Sequence, residues 1–468
     1  MPVQGAMAKT EARSATGAAS AVGSALRLLA LIFLSFVIGA GVYAFKLPPY
    51  GELRTAFLGA DALFERYLDA DASRSFFWAP ARRPEKGTTL HDSARAYQGF
   101  TLYLSTHDLE AVLVDMDGRV AHRWALDFSN AWPDPSHIAE PLPDDKIFWR
   151  AAKVFPNGDL LAVYIGRGDT PWGYGLAKMD KDSRPIWSYS ERVHHDLDVG
   201  ADGRIYTLTH RIRREPVRAL RQLTPPFLED FLVVLSAEGK ELWRVPLLSA
   251  LAASPYADLA RLAAASVSEG NDPLHANAVE LVERRTDVGT AVLEPGQVIV
   301  SFRQINTIAA IDPRDGRVVW AFRGPWLAPH DPDLLEDGRI MVFDNRGHFG
   351  TGGASRVVEF DPRNQKTTWT YSGTEAAPFV SALRGRQQAL PNGNVLITES
   401  AGGRMLEVTR DKEIVWEYIN PHRSGDNDEE IAWIMGGERY AADQLAFLRD
   451  APVARRTTRT ARWLGQTR

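Results

Sequence analysis

Six times along the chain an apolar stretch runs into an acidic or polar turn, a basic residue follows, and a tryptophan closes the segment. The segments are LVDMDGRVAHRW to Trp124, AKMDKDSRPIW to Trp187, VVLSAEGKELW to Trp243, AAIDPRDGRVVW to Trp320, VEFDPRNQKTTW to Trp369 and LEVTRDKEIVW to Trp416. Each reads as a β-hairpin around a tight turn, with a large side chain placed to pack between neighbouring sheets. A second hairpin lies between successive tryptophans, with turns at Asn157-Gly158, Asp202-Gly203, Asp337-Gly338 and Asn392-Gly393. Two hairpins make a four-stranded antiparallel unit. Six units, their tryptophans 47 to 77 residues apart, predict an all-β six-bladed β-propeller, whose closed ring leaves only short edges. An open solenoid is the alternative, but no segment reads as a capping repeat. The first repeat lacks an upstream hairpin. Its blade, near residues 99–124, is therefore expected to be completed by chain from the far end, near residues 431–435.

Outside the repeats the chain changes character. Residues 28–45 are uncharged and apolar (LLALIFLSFVIGAGVYAF), close to the shortest run that spans a bilayer. Lys9, Arg13 and Arg27 precede the run, a bias that favours a cytoplasmic N-terminus. The reading is an inner-membrane, single-pass protein with its propeller on the periplasmic side; a cleaved signal peptide is the alternative. The expected division is a disordered tail over 1–24, a transmembrane helix over 26–46, a neck over 47–90, the propeller over 91–450 and a basic tail over 451–468. Residues 247–270 read as one or two short helices, and 211–227 as a basic, proline-bearing insertion on one rim.

Composition narrows the chemistry. Lys plus Arg is 54 and Asp plus Glu 59, a net charge of −5, so no electrostatic footprint for nucleic acid exists. The absence of cysteine excludes disulfides, a thiol nucleophile, an iron–sulfur cluster and Cys-based zinc. There is no Walker-type loop and no Gly-x-Ser-x-Gly elbow.

The first strand of each blade lines the channel of a propeller, so residues just before these strands point into one volume. His195 and His330 each lie seven residues before the aspartate of their turn, and Arg150 holds the same offset before Asn157. Arg384 and Arg386 flank the corresponding place before Asn392, and His275 opens another blade in DPLHANAVELV. Imidazoles and guanidiniums in register predict a cup for a tetrahedral anion. A metal is not predicted. No His-x-His or His-x3-His pair has an acidic third member, and His194 and His195 are expected on opposite faces of a strand. No cofactor is called for.

These residues carry a resemblance. GFTLYLSTHDLEAVLVDMDG, HHDLDVGADGRIY, DPLHANAVELV, QVIVSFRQINTIAAID, GPWLAPHDPDLLEDGRIMVFDNRG and RGRQQALPNGNVLITESAGGRMLEVTRDKEIVWEYINP make the chain similar to the bacterial arylsulfotransferases of the six-bladed propeller type, in a membrane-anchored branch. The resemblance runs from about Gly99 to Pro421. It implies transfer of a sulfuryl group from a phenolic sulfate donor to a phenol acceptor, without a nucleotide donor, through a transiently sulfated histidine. By matched segments His330 is the acceptor. His275, Asn277, Arg303 and His195 bind sulfuryl oxygens or protonate the leaving phenol, and Arg150, Arg386 and Asn345 complete the substrate site. The chain departs from the larger periplasmic members, which carry an N-terminal β domain and a cysteine pair, and Pro329 stands where glutamine often precedes the acceptor.

The chemistry suits these residue types. Sulfuryl transfer, like phosphoryl transfer, is an in-line displacement with charge on the equatorial oxygens, so the protein chiefly positions reactants and stabilises charge. Neutral imidazole is a usable nucleophile near pH 7. The competing reading is a noncatalytic propeller that holds an anionic ligand or docks a membrane-protein partner. A quinoprotein-like dehydrogenase is disfavoured, since six repeats are too few and no cysteine pair is present.

Overall fold

A computed structural model describes residues 26–42, 45, 47–50, 77–169, 171–265, 271–345, 355–375 and 377–449. The expected tails at 1–24 and 451–468 lie outside these residues. The chain divides into two compact units, Met1–Ala72 and Ser73–Arg468.

In the first unit, residues 26–42 form an α-helix. Among the described residues no helix is long and apolar enough to cross a membrane. The transmembrane helix expected over 26–46 is therefore not found.

The second unit is all-β in its framework and propeller-like. Its six principal sheets are antiparallel. In chain order of their third strands they begin on Ile434–Tyr440, Ile147–Val154, Val193–Val199, Ala276–Leu281, His330–Leu334 and Arg386–Ala389. These inner strands touch one another in cyclic order, and the sixth returns to the first. The first sheet pairs Ile434–Tyr440 with Phe100–Ser105, so the far end of the chain completes it, a few residues later than expected. The turns at Gly158, Gly203, Gly338 and Gly393 have φ between 80° and 87°, a conformation that glycine adopts without steric cost.

The repeated tryptophan sits on the fourth strand of each sheet, beside a slip in pairing register in the second to sixth sheets and two residues beyond it in the first. Its role is inter-sheet. Trp124 Nε1 donates to the Gly158 carbonyl of the second sheet at 2.8 Å, and Trp369 Nε1 to the Arg410 carbonyl of the sixth at 2.8 Å. Trp416 Nε1 donates to the Met116 carbonyl of the first sheet at 2.9 Å, which closes the ring. Apolar clusters fill the same seams; Tyr103, Val112 and Val114 pack with Leu396, Met405 and Trp416 where the last sheet meets the first.

Two boundaries differ from expectation. Gly87–His91 adds a fifth strand to the sixth sheet, and Trp78–Pro80 pairs with Glu430–Ala432. The folded unit thus begins inside the segment read as a neck, because partners far along the chain give these short strands their order. Leu247–Ala252 and Ala257–Ala265 are helices, as expected of that insertion.

Candidate active site

Four inner strands share one irregularity. Pairing slips between Trp149 and Ala151, His194 and Leu197, Ala276 and Ala278, and His330 and Asp333. His195, His275 and Asp331 have φ of 61°, 50° and 49°, a conformation that costs residues with a Cβ of order 1–3 kcal/mol each and clusters at functional sites. A bulge breaks the strict alternation of side chains and re-aims them. This overturns the expectation for the double histidine. His194 and His195 do not diverge: their Nδ1 atoms are 2.7 Å apart and their ring centroids 5.0 Å.

Arg150, His195, Asn277 and His330 line one cavity together with Asp196, Asp331 and Arg386. The cavity measures about 10 Å³, room for a single water molecule. His330 is buried, and its Nδ1–H donates to the Ala328 carbonyl at 3.1 Å. That bond fixes the tautomer and leaves the lone pair on Nε2. Burial, then the Arg150 and Arg303 charges, hold its pKa well below the ordinary histidine range. Burial and the neighbouring His194, His275 and Arg150 do the same to His195. Both rings are neutral at pH 7.

The two cavity arginines differ. Arg386 bridges Asp196 and Asp331, each at 3.2 Å, so its charge is already spoken for. Arg150 is 3% exposed, donates one hydrogen bond to the Met435 carbonyl at 3.1 Å, and leaves Nε without a partner. It forms no ion pair among the described residues, and burial pushes its pKa down to about 10. A buried guanidinium without a carboxylate in contact is the strongest anion-seeking group here. Lower in the channel, burial pushes the carboxyls of Glu280 and Asp333 well above their usual range. Both shifts favour the protonated form, which lessens their repulsion of an anion.

His275 lies beside this cavity, its ring 5.1 Å from that of His195. Its Nδ1 is 2.7 Å from Asp272, and its side chain is 22% exposed. The Arg303 backbone N–H donates to the His275 carbonyl at 3.2 Å. Asn277 donates from Nδ2 to the Pro329 carbonyl at 3.0 Å and leaves Oδ1 unpaired, so it holds the backbone just before His330. Asn345 does not join the group. Its Nδ2 is used on the carbonyls of Ser381 (2.7 Å) and Arg384, where it pins the loop that leads to Arg386. Asp331 faces Arg386 and the Gln387 amide.

Sequence reasoning missed Trp172. Its ring lies 4.7 Å from His210, 5.5 Å from His275 and 5.9 Å from His195. It belongs to the connection between the second and third strands of its sheet, where no other repeat carries a tryptophan, so no register pointed to it. The acidic groups Asp196, Asp230 and Asp272 were also missed, because carboxylates abound and Asp230, on a third strand, and Asp272, in a loop, lie outside the inner-strand register.

Three comparisons bear on the chain. None of the curated proteins matches it. Among solved structures, it is similar to a protein of unknown function from Bacteroides caccae, with 10% identity over 69% of this chain and 93% of that one, at a TM-score of 0.44. It is similar to a streptogramin B lyase at 13% identity, over 75% and 88% of the chains, with a TM-score of 0.38. It is also similar to a virginiamycin B lyase from Staphylococcus aureus at 11% identity, over 77% and 96%, with a TM-score of 0.39. Residues 151–421, more than half of the chain, match the arylsulfotransferase (ASST) family, and they include every residue of the cavity except Arg150. The chain belongs to the arylsulfotransferase (ASST) family.

Proposed function

We propose that the protein is an arylsulfotransferase built on a closed six-bladed β-propeller, which moves a sulfuryl group between phenols through a sulfohistidine at His330. The observation that carries this reading is the buried Arg150, without an ion-pair partner, in one cavity with the neutral, tautomer-fixed His330. In the first half-reaction His330 Nε2 attacks the sulfur of an aryl sulfate. The sulfur–oxygen bond breaks, its electron pair leaves on the phenol oxygen, and the His275 imidazolium supplies the proton. The carboxylate of Asp272, its Oδ2 2.7 Å from His275 Nδ1, stabilises positive charge on that ring. The new cation on His330 is shared with the Ala328 carbonyl through Nδ1–H. In the second half the acceptor phenol gives its proton to His275, its oxygen attacks sulfur, and the nitrogen–sulfur bond breaks. No nucleotide donor takes part.

Arg150 and Arg303 hold the equatorial sulfuryl oxygens, where preorganised donors act most strongly. Asn277 fixes the approach of His330. Trp172, half-buried beside three imidazoles, stacks on the aryl ring. The cavity must widen before a sulfuryl group enters. The exposed apolar side chains between Leu26 and Ile38 support attachment to a membrane, and the basic residues that precede them favour the inner membrane with the propeller on the periplasmic side.

The water-sized cavity favours one competing reading, a noncatalytic propeller that holds a small anion. An assay with an aryl sulfate and a second phenol separates the two. The reading above predicts transfer by the wild type and none by His330→Ala; a wild type that binds sulfate and transfers nothing supports the competitor.

A further inference from the structure

Among the described residues, two groups bring three ligand-bearing side chains within reach of one ion: His194, His210 and Asp230, and His107, Glu110 and His422. The first fails on its tautomer. His210 Nε2 accepts the Gly173 amide N–H at 3.0 Å, so its proton sits on Nδ1, the nitrogen a metal would need.

The second passes the same test. His107 and Glu110 flank the turn between the second and third strands of the first sheet, and His422 follows the fourth strand of the sixth. The group therefore straddles the seam where the ring closes. His107 Nδ1 is 2.9 Å from Ser105 Oγ, which also accepts from Asn420 Nδ2 at 2.9 Å. His107 Nε2 in turn lies 3.3 Å from Glu110 Oε1. Adjacent ligand atoms of a tetrahedral ion with bonds of about 2.0–2.1 Å are roughly 3.3 Å apart. His422 Nε2 lies 4.0 Å from the same oxygen, buried and without a hydrogen-bond partner. Arg123 grips the carboxylate at 2.7 and 2.9 Å, and the Ser105 contact orients His107, the outer-shell support that metal ligands use.

We propose that His107, Glu110 and His422 bind one borderline divalent cation, Zn²⁺ in type, which clasps the first and sixth sheets. Two imidazoles and one carboxylate suit that class of ion. The rings now lie face to face, 3.2 Å between centroids, and ion entry turns them out of the stack so that both lone pairs converge. The ligand side chains are 12% to 25% exposed, so water completes the coordination.

The test uses the untagged full-length chain, stripped with a chelator and titrated with Zn²⁺, and with Co²⁺ as the visible probe. The wild type and His194→Ala bind one equivalent of Zn²⁺, melt higher with it, and give Co²⁺ visible bands. His107→Ala and His422→Ala lose the equivalent and the bands. Ser105→Ala, which leaves all three ligands in place, weakens binding by roughly 10–100-fold. A wild type with no stoichiometric Zn²⁺, or binding lost in His194→Ala and kept in His422→Ala, overturns the proposal.

Discussion

The chemistry rests on how few charges in the cup are free. Arg386 is neutralised by two carboxylates while Arg150 is not, so the two arginines answer differently to substitution. Arg150→Met lowers sulfuryl transfer by roughly 10²–10³, the usual loss for an oxyanion donor. It leaves the melting temperature unchanged or higher, because a buried charge without a contact partner is removed. Arg386→Met strands Asp196 and Asp331 and lowers the melting temperature; paired melting and transfer assays check both. The acid side of the pH profile follows from His330. Its pKa is held below the ordinary value, so single-turnover uptake of the sulfuryl group does not fall as pH drops through about 6.5. Stability behaves otherwise. His195, His210 and His330 stay neutral when folded but take up protons below about pH 6.5 when unfolded, so their contribution is complete above that pH and is lost on acidification. The raised carboxyls of Asp196, Asp230 and Asp331 act in the opposite sense and lose their contribution as pH rises. His195→Gln isolates one imidazole: the gap in melting temperature between pH 7.5 and 5.5, measured by calorimetry, shrinks by that histidine's share. The histidines were legible because a fixed offset from the turn residues marks the start of each inner strand. The clamp of Asp196 and Asp331 on Arg386, the partnering of His194 with His195, and the loss of Asn345 to a loop were not. The first two involve bulged inner strands, and a bulge leaves no mark in a two-residue period; the third rests on loop carbonyls distant in sequence.

At the level of elements, the hairpins and their tryptophans were readable from local rules alone, since glycine at positive φ and an alternating strand pattern occur together within a few residues. What stayed hidden was pairing across the length of the chain. Gly87–His91 and Trp78–Pro80 carry no repeat signature and owe their strand form to residues near the other end. The seam between the sixth and first sheets is therefore the element on which closure depends. Trp416 is fully buried there and donates to Met116, whereas Trp187 on an ordinary seam is only half-buried. Trp416→Ala costs about 3–5 kcal/mol, and Trp187→Ala costs less; urea unfolding of the two variants checks the order.

For the molecule as a whole, the apolar helix over 26–42 and the propeller-like part of the chain fall in two compact units, the second beginning at Ser73. A chain starting at Ser73 is expected to stay in solution without detergent and keep full transfer activity, while the intact chain sediments with membranes; intact chain in the soluble fraction contradicts the attachment. The central claim is that ring closure brings imidazoles from distant parts of the chain into one cup that holds a sulfuryl group on nitrogen. Peptide mass spectrometry after reaction with an aryl sulfate and a quench that avoids acid tests it most directly. The account predicts a mass gain of one sulfuryl group, labile to acid, on the peptide containing His330. The same gain on another residue, or none while transfer proceeds, would contradict it.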